Sequence, residues 1–205
     1  MKRLNRYDEM LFSGKFYESG DLKLLSYQHK CVQDMRRYNR IPSGPLGLLI
    51  RMKRLNKLFG KVGPNSYIEP PIYANFGGKN VFIGNNFYSN SNLTLVDDGK
   101  IEIGDNVMIG PNVTICTAMH SLNANDRLDK NNQYNEGVVI GNNVWICAKV
   151  TILPGVKIGD NSVIGAGSVV TKDVPANVLA FGNPCKVIKS LEGIESMLKD
   201  ENIFK

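Results

Sequence analysis

From Ile103 onward one position in every six is aliphatic: Ile103, Ile109 and Ile115, and after a gap Ile140, Ile146, Ile152, Ile158, Ile164 and Val170. Neither run loses its register. Four residues after each comes a second apolar or small residue: Val107, Val113 and Met119, then Val144, Val150, Val156, Ser162, Ser168 and Val174. A helix needs a period of about 3.6 residues and a half-buried strand a period of about two, so a strict six fits neither. It fits a chain that turns a corner every six residues. Three such faces close a triangular coil of about eighteen residues, and successive coils pair as parallel strands about 4.8 Å apart. Gly, Asp and Asn recur where the corners fall, as in Ile103-Gly104-Asp105-Asn106 and Ile158-Gly159-Asp160-Asn161. These residues accept the positive φ of a sharp turn. An antiparallel sandwich with Gly-Asn turns is the competing fold, and its unevenly spaced strands would not hold this register.

The repeat divides the chain into a helical N-terminal segment over residues 1–60, a parallel β-helix over 61–190, and a tail over 191–205 that reads as a short helix. Within the first segment, residues 5–59 read as helical. Leu24, Cys31, Met35 and Tyr38 share a helical face, Asp21 is a plausible N-cap, and Pro42-Ser43-Gly44-Pro45 breaks the pattern before a second helix near Leu46 to Phe59. The cluster Arg51, Lys53, Arg54 and Lys57 reads as a solvated face, with a membrane-surface helix as the alternative. Inside the β-helix the repeat is interrupted by a polar loop, 121–139, too long for an ordinary connection.

No run approaches the roughly 18 apolar residues of a membrane span, and the start Met1 to Arg6 does not lead into a signal-peptide core. The expectation is a cytoplasmic protein with no membrane or nucleic-acid partner. Cys31, Cys116, Cys147 and Cys185 lie far apart with no Cys-x-x-Cys pair, which suits reduced packing residues and neither a zinc site nor a disulfide framework. The net charge of +6, gathered over Arg36 to Arg54 and Lys172 to Lys189, suits a partner that carries phosphates.

There are two histidines. His29 falls in the helical segment, where a packing or surface role is the plainer reading. His120 stands where the regular coil ends and the loop begins, which makes it a candidate base, although a lone histidine is weak evidence.

Several blocks closely resemble the galactoside and maltose O-acetyltransferases, hexapeptide-repeat acyltransferases with a left-handed parallel β-helix. They are Gly14-Lys15-Phe16-Tyr17, Asn86 to Thr94, Ile140-Gly141-Asn142-Asn143-Val144-Trp145-Ile146, Gly165 to Asp173, and Gly182-Asn183-Pro184-Cys185-Lys186. The likeness spans roughly residues 8–190, and the handedness is implied by it alone. It implies a homotrimer with active sites between prisms, acetyl-CoA as co-substrate and no metal. It implies His120 as the base that deprotonates a sugar hydroxyl and Asn90 as the donor to the oxyanion, with direct transfer in a ternary complex.

By the same resemblance Ser19, Asn75, Tyr88, Asn90, Asp98 and Gln133 surround the acceptor, and Ala148, Ala166, Thr171, Lys172, Lys186 and Lys189 hold the donor. Ser19, Asn75 and Gln133 depart from the galactoside pattern, which leaves the acceptor open between a sugar and another hydroxyl compound such as a polysaccharide precursor, an amino sugar or an antibiotic. Lys186 and Lys189 stand where arginine is usual, keeping the charge and losing the bidentate fork. Three rival readings are an acyl-enzyme on Cys116 or Cys147, a γ-type carbonic anhydrase and a non-enzymatic scaffold. The first lacks a visible activating base, the second needs three histidines, and the third needs no loop leaving at a histidine.

Overall fold

The computed structural model of the chain describes residues 7–195. Three helices come first: α1 (Asp8–Leu11), α2 (Leu22–Asn39) and α3 (Pro45–Leu58). The Asp21 carboxylate accepts the Leu24 N–H at 2.8 Å and caps α2, which buries Leu24, Cys31, Met35 and Tyr38. α3 opens on Pro45, whose missing N–H is harmless in a first turn. A Cβ at Gly47 would stand 1.9 Å from the Pro42 carbonyl oxygen, so only glycine fits there.

Two expectations for this segment need correction. Residues 5–59 are not helical throughout: between α1 and α2 the chain extends, and Tyr17 pairs as an isolated bridge with Gln133. Arg51 is not on a solvated face. It is 5% exposed, and its guanidinium donates to the Ile41 carbonyl (2.8 Å) and the Tyr67 hydroxyl (2.9 Å), which ties α3 to the first coil. Lys53, Arg54 and Lys57 do face solvent.

The chain then winds through three faces in a fixed order. The first coil is β1 (Lys61–Val62), β2 (Tyr67–Ile68) and β3 (Ile72–Ala74). β4 (Val81–Ile83), β5 (Tyr88–Ser89) and β6 (Leu93–Val96) make the second, and β7 (Ile101–Ile103), β8 (Met108–Ile109) and β9 (Thr114–Cys116) the third. Here an antiparallel arm leaves the prism, built from β10 (Ala118–His120) and β11 (Gln133–Asn135). The fourth coil is β12 (Val138–Ile140), β13 (Trp145–Ile146) and β14 (Thr151–Ile152), and the fifth β15 (Lys157–Ile158), β16 (Val163–Ile164) and β17 (Val169–Val170). β18 (Val178–Phe181) adds in parallel to β16, and β19 (Lys186–Ser190) folds back antiparallel on β18.

β1, β4, β7, β12 and β15 form the first face, β2, β5, β8, β13, β16, β18 and β19 the second, and β3, β6, β9, β14 and β17 the third. This is the expected parallel β-helix. Ile83, Ile103, Ile140 and Ile158 stack inside the first face, and Leu95, Ile115, Ile152 and Val170 inside the third, none more than 5% exposed. The six-residue period is legible only from Ile103 because the earlier coils carry extra corner residues. Ile83 to Ile103 spans two residues more than Ile140 to Ile158, yet the inward stack continues unbroken. Met119 also departs from expectation. Thr117 takes the interior place after Ile115, its hydroxyl donating to the Val96 carbonyl (2.6 Å) and accepting the Gly99 N–H (2.7 Å), while Met119 sits out on β10.

At the corner between the first and second faces Asn65, Asn86, Asn106, Asn143, Asn161 and Asn177 all adopt φ between 54° and 59°. Each side-chain amide donates to the next along the stack, at 2.8–3.1 Å. Asparagine thus meets the backbone demand of the turn and links coil to coil. At the open end of the first coil, Tyr38 donates to the Ile68 carbonyl (2.6 Å), and the Asn39 amide both donates to and accepts from the Ile72 backbone (2.8 and 3.0 Å). α2 thereby covers an edge that would otherwise invite another strand. At the far end Leu191–Glu195 run through a turn, with no helix, and the rest of the tail expected to be helical lies outside the described residues. Among the described residues no helix is long and apolar enough to cross a membrane.

Candidate active site

The arm leaves at the corner between the third and first faces. Its pairing sets His120 opposite Gln133, Met119 opposite Tyr134 and Ala118 opposite Asn135. Because side chains alternate across a strand pair, His120, Gln133 and Asn135 share one face of the arm. His120 is exposed, and its Nδ1 lies 2.7 Å from the Asn132 carbonyl oxygen. A carbonyl only accepts, so Nδ1 carries the proton, and on the neutral ring Nε2 keeps its lone pair. The Asn132 side chain is held in turn by the Ser19 hydroxyl, which donates to Oδ1 at 3.2 Å.

Beneath His120, Gln133 Nε2 donates to one Asp98 carboxylate oxygen (3.0 Å) and to the Tyr17 hydroxyl (2.6 Å), and Asn75 Nδ2 donates to the other Asp98 oxygen (2.7 Å). Asn135 Nδ2 donates to the Leu11 carbonyl (3.0 Å) and to the Tyr17 hydroxyl (3.2 Å). Ser19, Asn75, Asp98 and Gln133, far apart in sequence, therefore meet with His120 in one place. Asp98 and Gln133 are buried, so they shape the site more than they line its mouth. Tyr17 and Asn135 were not among the expected site residues. Nothing in their spacing marks them, and only the Tyr17 to Gln133 backbone pairing (2.8 Å) brings them in. Burial pushes the Tyr17 hydroxyl pKa well up, so it remains a neutral donor and acceptor.

Asn90 and Tyr88 stand elsewhere. Tyr88 faces outward from β5, and Asn90 follows at the corner between the second and third faces. The Asn90 Oδ1 accepts the Ser91 N–H at 2.7 Å, which fixes the amide and leaves Nδ2 without a hydrogen-bond partner among the described residues. Ala148 and Ala166 lie at this same corner on the fourth and fifth coils, Lys186 pairs with Phe181, and Lys189 pairs with Leu179. Thr171 and Lys172 follow β17, at the corner of His120. The expected site residues thus divide between two corners of one prism.

Residues 137–172 match the family model of the bacterial transferase hexapeptide (six repeats). The galactoside O-acetyltransferase of Lactococcus lactis is 46% identical over 191 residues, covering 93% of this chain and 90% of that one. That of Escherichia coli is 52% identical over 142 residues, covering 69% and 68%. A solved galactoside acetyltransferase in complex with coenzyme A superposes with a TM-score of 0.81 at 44% identity, covering 87% of this chain and 88% of that one. A maltose O-acetyltransferase from Clostridium difficile superposes with 0.84 at 44% identity, covering 90% and 97%. The chain belongs to the galactoside and maltose O-acetyltransferase family.

An acyl-enzyme route would need a cysteine held as the thiolate. Burial raises the pKa of Cys116, Cys147 and Cys185, the opposite of what an attacking thiolate requires. Cys31 is buried on the inner face of α2, and its pKa is raised for the same reason. Among the described residues no three His, Cys, Asp or Glu side chains gather where they could hold a metal ion.

Beside Asp98, Asp97 is fully buried, and its two oxygens accept the N–H groups of Phe76 (2.7 Å) and Gly78 (2.9 Å). It thereby shapes the turn that carries Asn75. Burial, assisted by the neighbouring Asp98 charge, pushes its pKa from an ordinary 3.8 up to about 7. A carboxylate whose pKa rises on folding stabilises the fold most when protonated, so this contribution is present near pH 4 and is lost as the pH climbs through about 7. Asp97→Asn aims an amide N–H at one of the two backbone donors and should lower stability by about 1–3 kcal/mol. Thermal unfolding across pH 4–8 checks this: the gap to wild type should be widest at the acid end and narrow upward, and a gap that widens upward would contradict it.

Proposed function

We propose that this chain moves the acetyl group of acetyl-CoA directly to a hydroxyl of a sugar, a galactoside or a maltose- or glucose-like acceptor, with His120 as general base. The observation that carries this is the bond from His120 Nδ1 to the Asn132 carbonyl. It leaves Nε2 free to take the proton as the hydroxyl oxygen attacks the thioester carbonyl. Negative charge then grows on that carbonyl oxygen, and Asn90 Nδ2, oriented by the Ser91 N–H, is the donor that meets it. As the tetrahedral intermediate collapses, CoA departs as the thiolate and the proton held on Nε2 returns to sulfur. The relatives named for galactoside and maltose supply the acceptor class, and the coenzyme A complex of one of them supplies the donor.

His120 and Asn90 lie at different corners of one prism, which supports a site shared between chains. In a trimer the corner of one copy faces another corner of its neighbour, so His120, Thr171 and Lys172 of one chain meet Asn90, Ala148, Ala166 and Lys186 of the next. Monomeric protein is accordingly expected to be inactive. Activity measured against oligomeric state over a dilution series checks this, and full turnover by a monomer would contradict it. Four free thiols and a thioester co-substrate suit the cytoplasm.

A CoA-release assay against galactosides, maltose, glucose, N-acetylhexosamines and chloramphenicol tests the acceptor. Release should depend on a sugar. Turnover confined to chloramphenicol would move the acceptor outside the sugars, and Ser19, Asn75 and Gln133 are the positions where this would originate.

A further inference from the structure

At the corner between the second and third faces one residue on each of the second to fifth coils takes the left-handed backbone conformation: Asn92 (φ 61°), Asn112 (60°), Lys149 (58°) and Gly167 (71°). They form a single column. Asn112 N–H donates to the Ser91 carbonyl (3.1 Å), Lys149 N–H to the Pro111 carbonyl (2.9 Å) and Gly167 N–H to the Ala148 carbonyl (2.9 Å). Among the described residues every other residue with φ in this range is asparagine or glycine. Both accept the conformation readily, whereas a lysine there holds its Cβ against the following carbonyl oxygen. Among the described residues the Lys149 side chain makes no hydrogen bond or ion pair to offset this. It is exposed, and no carboxylate among the described residues pairs with its ammonium. Strain held at one residue, with no compensating contact, points to a use outside the chain.

The column's neighbours indicate what that use is. Lys149 directly follows Ala148 and Gly167 directly follows Ala166, so the two small residues assigned to the donor occupy the same place on consecutive coils. Asn90, where the thioester carbonyl is read to lie, sits two coils before Ala148, roughly 10 Å along the prism at about 4.8 Å per coil. A pantetheine arm climbing from Asn90 past Gly110 and Ala148 passes Lys149, the residue next to Ala148, before it reaches the end of the prism. Lys186 comes later still, past the turn whose Cys185 N–H donates to the Val169 carbonyl (2.8 Å). Cations therefore stand at two heights, with Lys149 the lower. The phosphates of the donor are likewise at two distances from sulfur, the pyrophosphate nearer and the ribose 3′-phosphate farther.

We propose that Lys149 binds the pyrophosphate of coenzyme A, leaving the 3′-phosphate to Lys186 and Lys189. This rests on the donor reading given above. A lysine serves here as a mobile point charge and needs no bidentate geometry.

The test pairs Lys149→Asn with Lys149→Arg and reads CoA binding by calorimetry, apart from any acceptor. Asparagine relieves the backbone, so Lys149→Asn should unfold at a higher temperature than wild type while its Kd for CoA rises about three- to tenfold. Dephospho-CoA should show the same loss, and Lys149→Arg should bind within about twofold of wild type. Higher thermal stability with unchanged CoA affinity would overturn the proposal, leaving Lys149 a strained surface residue. A loss seen with CoA and absent with dephospho-CoA would also overturn it by assigning Lys149 to the 3′-phosphate. Failure of the wild-type chain to bind CoA would instead overturn the donor reading itself.

Discussion

Replacing His120 by alanine is expected to lower kcat by at least about 10²-fold while CoA binding survives. A sugar hydroxyl is a poor nucleophile at neutral pH, so its proton must leave as the oxygen attacks. The imidazole suits this because the Asn132 carbonyl holds Nδ1–H and leaves a lone pair on Nε2. Removing the ring removes the acceptor for that proton and leaves Ala148, Ala166, Thr171 and the lysines assigned to the donor in place. Steady-state turnover with a saturating sugar acceptor, together with calorimetric CoA binding, separates the two effects. Near-normal turnover would sink the base assignment. Loss of CoA binding together with kcat would mean that His120 holds the donor or the arm, and it would then no longer stand as the base.

The same bond explains why the arm is built as it is. His120 ends β10 and Asn132 immediately precedes β11, so the antiparallel pairing itself brings the carbonyl to the ring. The pairing is anchored from outside the prism, by the Tyr17 bridge to Gln133 and by Ser19 on Asn132. The N-terminal segment therefore supports the arm that carries His120 as well as covering the end of the prism. A prism lacking residues before α2 would keep its inward stack and lose the support of the arm.

How far the sequence discloses this depends on whether a feature repeats. The inward isoleucines and the corner asparagines recur at fixed spacing, and the same steric demand recurs with them, so the coils from Ile103 onward follow from the residues alone. The coils between Lys61 and Lys100 obey the same demand with longer corners, and a period search passes over them. Thr117 replaces Met119 in the interior because its hydroxyl meets the Val96 carbonyl and the Gly99 N–H where the chain turns out of the prism, a single event with no repeat to announce it. Tyr17 and Asn135 join the site through contacts between segments more than a hundred residues apart, and their residue types alone do not reveal that. His120 was marked by its place at the loop, but its protonation pattern depends on a backbone carbonyl, which has no letter in the sequence. The division of the site between two corners becomes visible only once the faces are assigned.

Asn90→Ala is the second large effect expected, a fall in kcat of about 10²- to 10³-fold with the acceptor KM within a few-fold of wild type. Asn90 Oδ1 is held by the Ser91 N–H at 2.7 Å, so the amide cannot turn over without leaving a backbone donor unpaired, and Nδ2 stays fixed as a donor in advance of the reaction. A donor fixed in this way interacts more strongly with a full oxyanion than with a ground-state carbonyl, so its loss falls on the transition state rather than on binding. Asn90→Asp sharpens the test. It is nearly isosteric, keeps the Ser91 contact, and places negative charge where the oxyanion forms, so it should be at least as damaging as alanine. Were either variant to raise only the sugar KM, Asn90 would be an acceptor-binding residue, and the donor to the oxyanion would have to be sought elsewhere at the same corner.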